Sequence, residues 1–184
     1  MRVGLLGPTN MDKFCRLTGL TREQAGEKAA AVGKAVADAG HELRVVFNYG
    51  GMLKLVGDAY KEAGGKLTMI ATRNDYDWDV EHYLGDLAHA DEVEEKPSWH
   101  DMLLSLVTDS DVVVCAGLSS GVLVELGYMK WNVQDERGKV QKLVLVEDLL
   151  RDGRLPPELG VELDRIAVTI SAVRLKNYFS EILR

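Results

Sequence analysis

The stretch from Asp111 to Asn132 most restricts what this chain can fold into. It opens with three β-branched residues, Val112 to Val114, and passes through a small-residue turn, Ala116 to Gly121. It then spaces Val122, Leu123, Leu126, Met129 and Lys130 as a helix would. Consecutive valines disfavour a helix, because their branched side chains lose rotamer freedom against the preceding turn. A short run that is apolar on both faces reads instead as a strand buried between two layers. Strand, Ser/Gly turn and helix, in that order, is how an open α/β sheet points the unpaired N–H groups of a helix N-terminus at an anion. Ser119 or Ser120 caps the helix, and Gly121 lets a ligand approach the backbone. Glu125 falls about one turn inside the helix. A carboxylate there is either a partner of the helix dipole or a reactive group beside a bound phosphate ester.

The same alternation runs upstream. Arg2 to Leu6 is a short apolar strand ending in Gly7-Pro8-Thr9-Asn10, and the loop continues through Met11 to Gly19. Thr21 caps the next helix, with Gln24 three residues on as in a capping box. Ala25, Ala29, Val32, Val36 and Ala39 follow at helical spacing up to Gly40. Leu43 to Phe47 is a second strand, Asn48-Tyr49-Gly50-Gly51 turns into a helix from about Met52 to Ala63, and Lys66 to Ala71 is a third strand. This β-α-β-α-β order is the unit of a parallel sheet. Residues Thr72 to Ala90 break the rhythm and read as a long lid or binding loop with one helical turn around Val80 to Leu87. A short strand at Asp91 to Val93 and a helix from Ser98 lead into the opening stretch. Lys142 to Val146 and Arg165 to Val168 are the last strands. Ser171 caps a final helix with an apolar stripe of Val173, Leu175, Tyr178, Phe179, Ile182 and Leu183. The expectation is one domain over residues 1–184, a three-layer α/β/α Rossmann-like fold with a mainly parallel sheet.

Composition narrows the function classes. The net charge is −7 and no basic stripe is visible, which argues against long nucleic acid. A small nucleotide stays open, because backbone N–H groups can hold its phosphate. Cys15 and Cys115 belong to no metal-spaced pair, no signal-peptide pattern is visible and no apolar run reaches membrane-spanning length. A reduced, cytoplasmic chain away from any membrane is expected, with no metal and no cofactor. Asp75, Asp77 and Asp79 start like a calcium loop, but Val80 stands where glycine belongs and Asp86 where glutamate does. His82, His89 and His100 fit no metal spacing. Trp78, Tyr83 and Trp99 read first as residues packing the loop down, with stacking on a base as the alternative. Asp109 and Asp111 read as structural caps at the sheet edge opposite the ligand.

Two motifs carry a family resemblance. Val46-Phe47-Asn48-Tyr49-Gly50-Gly51, then Gly57, then Ala63-Gly64-Gly65-Lys66, resembles the glycine-rich half of the LOG family signature. The other half, Pro-Gly-Gly-x-Gly-Thr-x-x-Glu, falls on Gly117 to Glu125, where Gly121 and Glu125 match. Val122 replaces the threonine, and Met102 stands where that family has an arginine. The resemblance implies a phosphoribohydrolase that cuts the N-glycosidic bond of a nucleoside 5′-monophosphate. Glu125 would be its catalytic residue, stabilising or attacking an oxocarbenium-like sugar. Gly7, Pro8, Thr9, Asn10, Gly50, Gly51, Ser119, Ser120, Gly121 and Val122 would hold the nucleoside monophosphate or a related small phosphate ligand. A homodimer is implied too. Two alternatives accompany this reading. One is a non-catalytic nucleotide-binding or sensing protein that kept the pocket. The other is a nucleoside 2-deoxyribosyltransferase-like enzyme, whose glutamate motif resembles Ser119 to Tyr128. Decarboxylation of lysine is excluded, because no lysine has a pyridoxal-phosphate context.

Overall fold

Runs of β-branched and apolar residues pair into one sheet, and every pairing is parallel. The computed structural model describes residues 1–72, 80–134 and 138–182. Its strands are β1 (Arg2–Leu6), β2 (Glu42–Val46), β3 (Leu67–Ala71), β4 (Glu92–Glu95), β5 (Val112–Cys115), β6 (Lys142–Val146) and β7 (Ala167–Ile170). Across the sheet they stand in the order β4-β3-β2-β1-β5-β6-β7. The helices are α1 (Met11–Thr18), α2 (Arg22–Asp38), α3 (Gly51–Glu62), α4 (Val80–Leu87), α5 (Trp99–Thr108), α6 (Ser120–Gln134), α7 (Pro157–Leu163) and α8 (Leu175–Ile182). Helices α2, α3 and α8 pack together, as do α5, α6 and α7. They cover the two faces of the sheet and complete the expected three-layer α/β/α architecture. Because both faces are covered, the central strands are apolar throughout: β3 and β5 are buried at every residue.

The strand order sets where a ligand can sit. The chain adds β2, β3 and β4 on one side of β1, then crosses back through α5 to lay β5 on the other side. Connections leave the C-terminal ends of β1 and β5 in opposite directions, so a crevice opens between them. The last rungs of that pair are Leu6 opposite Cys115, and the Ala116 N–H donating to Leu6 O at 2.8 Å. Gly4 on β1 lets α5 close over this junction, since a Cβ there would lie 2.7 Å from Ser110 Oγ and 3.0 Å from Leu106 O. Arg44, buried on β2 beside Gly4, donates to Ser110 Oγ at 3.3 Å and pairs with Glu94 on the edge strand β4. A buried guanidinium needs such partners to offset its lost hydration.

Most local signals hold, with two corrections. Thr21 and Gln24 form the capping box of α2. Ser98 accepts from the Asp101 N–H to cap α5. Val80–Leu87 is the helix α4, two turns where one was expected. The first correction concerns residues 11–18, expected as loop, which form α1. Asn10 caps it by accepting from Lys13 N at 3.0 Å, Met11 and Phe14 bury its inner face, and Gly19 closes it in the left-handed conformation. The second concerns the C-terminal stripe. Leu175 and Phe179 are fully buried, but Val173 is 84% exposed, because residues 172–174 form a 3₁₀ turn that rotates it outward. Ser171 makes no side-chain cap there. Asp75, Asp77, Trp78 and Asp79 lie outside the described residues.

Helices α2 and α3 meet backbone to backbone at Gly33. A Cβ at this position would sit 2.8 Å from Tyr60 N and collide with Val56 O. The substitution Gly33→Ala raises intrinsic helix propensity by about 1 kcal/mol but forces the helices apart. A net destabilisation of about 1–3 kcal/mol is expected in urea unfolding, and unchanged or greater stability would contradict the close packing.

Candidate functional site

The crevice is a cleft of about 710 Å³ at the C-terminal ends of β1, β2 and β5. Gly7, Pro8, Thr9 and Asn10 form one wall, directly after β1. Ser119, Ser120, Gly121 and Val122 form the opposite wall, where α6 begins after β5. Val46, Phe47, Leu53, Trp99 and Leu103 give it an apolar lining. Gly117 makes the junction possible. Its φ is +123°, and a Cβ would meet Phe14 Cε2 at 2.8 Å and Pro8 Cδ at 3.0 Å. Asn48, a non-glycine residue at φ +77°, also lines the cleft. Asparagine tolerates that conformation better than most residues, and such backbone settings concentrate at binding sites.

The start of α6 has the geometry of an anion site. Ser119 Oγ accepts from Val122 N at 3.3 Å, and Ser119 O accepts from Leu123 N at 3.0 Å. Ser119 is therefore the cap, and Ser120 is the first helical residue. The N–H groups of Ser120 and Gly121 have no acceptor among the described residues, and both residues are exposed on the cleft wall. Opposite them, α1 contributes Lys13, the only basic side chain among the described residues of the lining.

Glu125 is the chemical peculiarity of the site. It lines the cleft but is only 5% exposed, and among the described residues nothing hydrogen-bonds its carboxyl group or pairs with it. Burial pushes its pKa up to about 8, with no other cause contributing. Burial thus favours the carboxylic acid over the carboxylate near neutral pH. The acid form can donate a hydrogen bond, and it lacks the charge that a nucleophile or an oxocarbenium stabiliser needs. Behind it, the buried Cys115 thiol is pushed up to about 12, mainly by burial.

The sequence-derived candidates divide into two groups. Gly7, Pro8, Thr9, Asn10, Ser119, Ser120, Gly121, Val122 and Glu125 come together around one cleft. Gly50 and Gly51 do not line it. Gly51, at φ +53°, packs under the β1 loop, where a Cβ would lie 2.6 Å from Pro8 O. The second amide of α3 is already used, since Met52 N donates to Pro8 O at 2.9 Å. This turn holds the wall in place from behind. Met102 and Val122, at the positions of the LOG-family arginine and threonine, are 0% and 1% exposed and belong to the core. Sequence reasoning missed Lys13, Phe14 and Leu17, because α1 was taken as loop. The signal was there: Asn10 as a cap, Asp12 in the first turn and Gly19 as the stop. Trp99 lines the cleft, while Tyr83 packs on Phe47 at 4.9 Å. Asp111 accepts from Arg2 N at 2.8 Å and Asp109 ends α5. Among the described residues no group of three or more His, Cys, Asp or Glu could hold a metal ion, and no helix is long and apolar enough to cross a membrane.

The fold and the cleft define a Rossmann-like α/β protein with a crevice at its topological switch point. No protein-family model and no curated protein sequence matches the chain. Solved structures do match it along its whole length. A molybdenum cofactor carrier protein from Chlamydomonas reinhardtii superposes with a TM-score of 0.68 at 16% identity, covering 99% of this chain and 97% of that one. A second structure of the Chlamydomonas carrier gives 0.64 at 18% identity, with coverages of 99% and 96%. The molybdenum cofactor binding protein of the phototrophic bacterium Rippkaea orientalis gives 0.66 at 15%, with coverages of 100% and 97%. At such identities the likeness establishes the fold. It also overturns the LOG-family assignment drawn from the two motifs, since the end-to-end match is to carrier and binding proteins. N-glycosidic hydrolysis through Glu125 falls with that assignment, and burial, which disfavours the ionised form of Glu125, works against the charge that chemistry needs.

The sign of the pH dependence follows from the raised pKa. Glu125 holds its proton in the folded chain up to about pH 8, while its ordinary value is 4.5. The folded state binds more protons between these values, so stability falls as pH rises through that window and is flat above it. Compared with Glu125→Gln, which has no proton to lose, wild type is expected to lose a few kcal/mol across the window. Melting temperatures of both proteins from about pH 4.5 to pH 9 test this, and parallel curves would refute the raised pKa.

Proposed function

We propose that this chain is a non-catalytic binding protein that takes a phosphate-bearing, nucleotide-like cofactor of the molybdenum-cofactor kind into the cleft. The observation that carries this reading is the open N-terminus of α6 facing a cleft whose one buried acid has no partner. Unpaired amides at a helix N-terminus hold a phosphate group through hydrogen bonds and the helix dipole together. Lys13 on α1 supplies a positive charge from the facing wall. The apolar sides, with Trp99 and Phe47 among them, suit a flat heterocycle such as a pterin, and the polar ends fix its direction. The full-length likeness to molybdenum cofactor carrier and binding proteins supports the same cargo. The unpaired cysteines Cys15 and Cys115 fit action in a reducing compartment such as the cytoplasm.

The test is retention of cargo. Molybdenum cofactor released anaerobically from a molybdoenzyme is mixed with the protein and passed over gel filtration. Molybdenum and the fluorescent oxidised pterin are then counted in the protein fraction. Near-stoichiometric co-elution is expected, and a protein fraction free of both refutes the proposal. Gly121→Asp separates binding from folding. A carboxylate in the first turn of α6 suits the helix dipole, so folding stability stays level or rises by about 0.5 kcal/mol. The same charge repels a phosphate at Ser120 and Gly121, so cofactor affinity is expected to drop about tenfold or more.

A further inference from the structure

We propose that Glu125 determines which cargo the cleft accepts, through a hydrogen bond from its buried carboxyl group to an acceptor atom on the ligand. This rests on the binding reading above and adds a chemical selection to it. A buried polar group without a partner is costly, and Glu125, 5% exposed, lines the cleft. A ligand with a carbonyl oxygen, an unprotonated ring nitrogen or an anionic atom at that depth satisfies the acid proton. A ligand that presents an N–H donor there gains less, because only the carbonyl oxygen of the acid can receive it.

The surroundings keep the acid neutral. On β5 the facing group is Cys115, a thiol that stays protonated. On α1 the facing charge is Lys13, and α5 and the loops after β1 and β2 contribute only uncharged side chains to the lining. Among the described residues of the lining Lys13 is the one positive group, and burial is the cause that raises the proton affinity of Glu125. A phosphate held at Ser120 and Gly121 lies about one helical turn away and disfavours a second negative charge. Ligand binding and retention of the proton are therefore coupled, and base that removes the proton loosens the ligand.

The experiment uses the full chain loaded with molybdenum cofactor at about pH 6.5 and then equilibrated in steps to about pH 9.5. Retained molybdenum is measured for wild type and Glu125→Gln. Above about pH 8 the dissociation constant of wild type is expected to rise by up to tenfold per pH unit. Glu125→Gln, whose amide still donates, is expected to bind within a few-fold of wild type at the lowest pH and to stay flat. Equal pH profiles for the two proteins overturn the inference and leave the carrier reading standing. No retention by either protein at any pH overturns both. Should the variant fold poorly, a ¹³C-carboxyl titration of glutamate-labelled wild type decides. A Glu125 midpoint near 8, higher when loaded, supports the inference, and a midpoint in the ordinary carboxylate range refutes it.

Discussion

The pairing of β1 with β5 is the constraint on which the rest of the molecule depends. Their parallel register brings Leu6 beside Cys115, so the loop that leaves β1 and the turn that opens α6 start from neighbouring points and diverge. Residues more than a hundred positions apart become two walls of one cleft. Small side chains then decide how near the walls can come. Gly4 admits α5 under the junction, Gly117 admits Phe14 and Pro8 over it, and Gly51 lets α3 brace the β1 loop from below. A larger residue at any of these points would spread the walls and change what fits between them.

A buried carboxyl group at the base of such a cleft has two very different chemical lives, and its neighbours choose between them. An arginine on α5 would have held Glu125 ionised, ready to stabilise a cationic sugar. This chain has Met102 at that position, in the core, and among the described residues no salt bridge or hydrogen bond brings a positive charge to Glu125. Val122, in place of a threonine, turns a would-be phosphate hydroxyl into packing. Both departures act in one direction. They remove what would make the glutamate reactive and leave the amides of Ser120 and Gly121 open.

Much of this fold was legible in the sequence because its strongest signals are local. A capping box at Thr21 and Gln24, valine runs between small-residue turns and glycines after helices specify elements within a few residues of themselves. The parallel sheet and the position of Glu125 follow from their order. What was not legible depended on tertiary context. Helix α1 is eight residues long, too short for periodicity to speak, and it forms because Met11 and Phe14 find a core to enter. With α1 unread, Lys13 was invisible as a cleft residue. Gly50-Gly51 misled in the opposite way. A Gly-Gly at a strand end reads as a cradle for phosphate, yet here the glycine makes room for another loop's carbonyl groups. Sequence shows that a close approach occurs there but not what approaches. Family membership failed for a related reason, since the motif preserved the turn and the glutamate and the replaced positions carried the chemistry.

The charge balance explains why a neutral acid matters in this site. The protein carries a net charge of −7, and its cleft has a single basic residue among the described lining. A field of that sign does not draw a phosphate in from a distance, and at physiological salt it is screened within about 8 Å. Attraction has to come from groups in contact: the N–H dipoles of Ser120 and Gly121, Lys13, and whatever lies deeper. An ionised Glu125 would set a like charge beside the anion in a poorly solvated space, where repulsion is least screened. Protonated, the same side chain turns from an opponent of the ligand into a donor for it. Burial achieves this without any added cation, and Lys13 is the single basic side chain among the described residues of the lining.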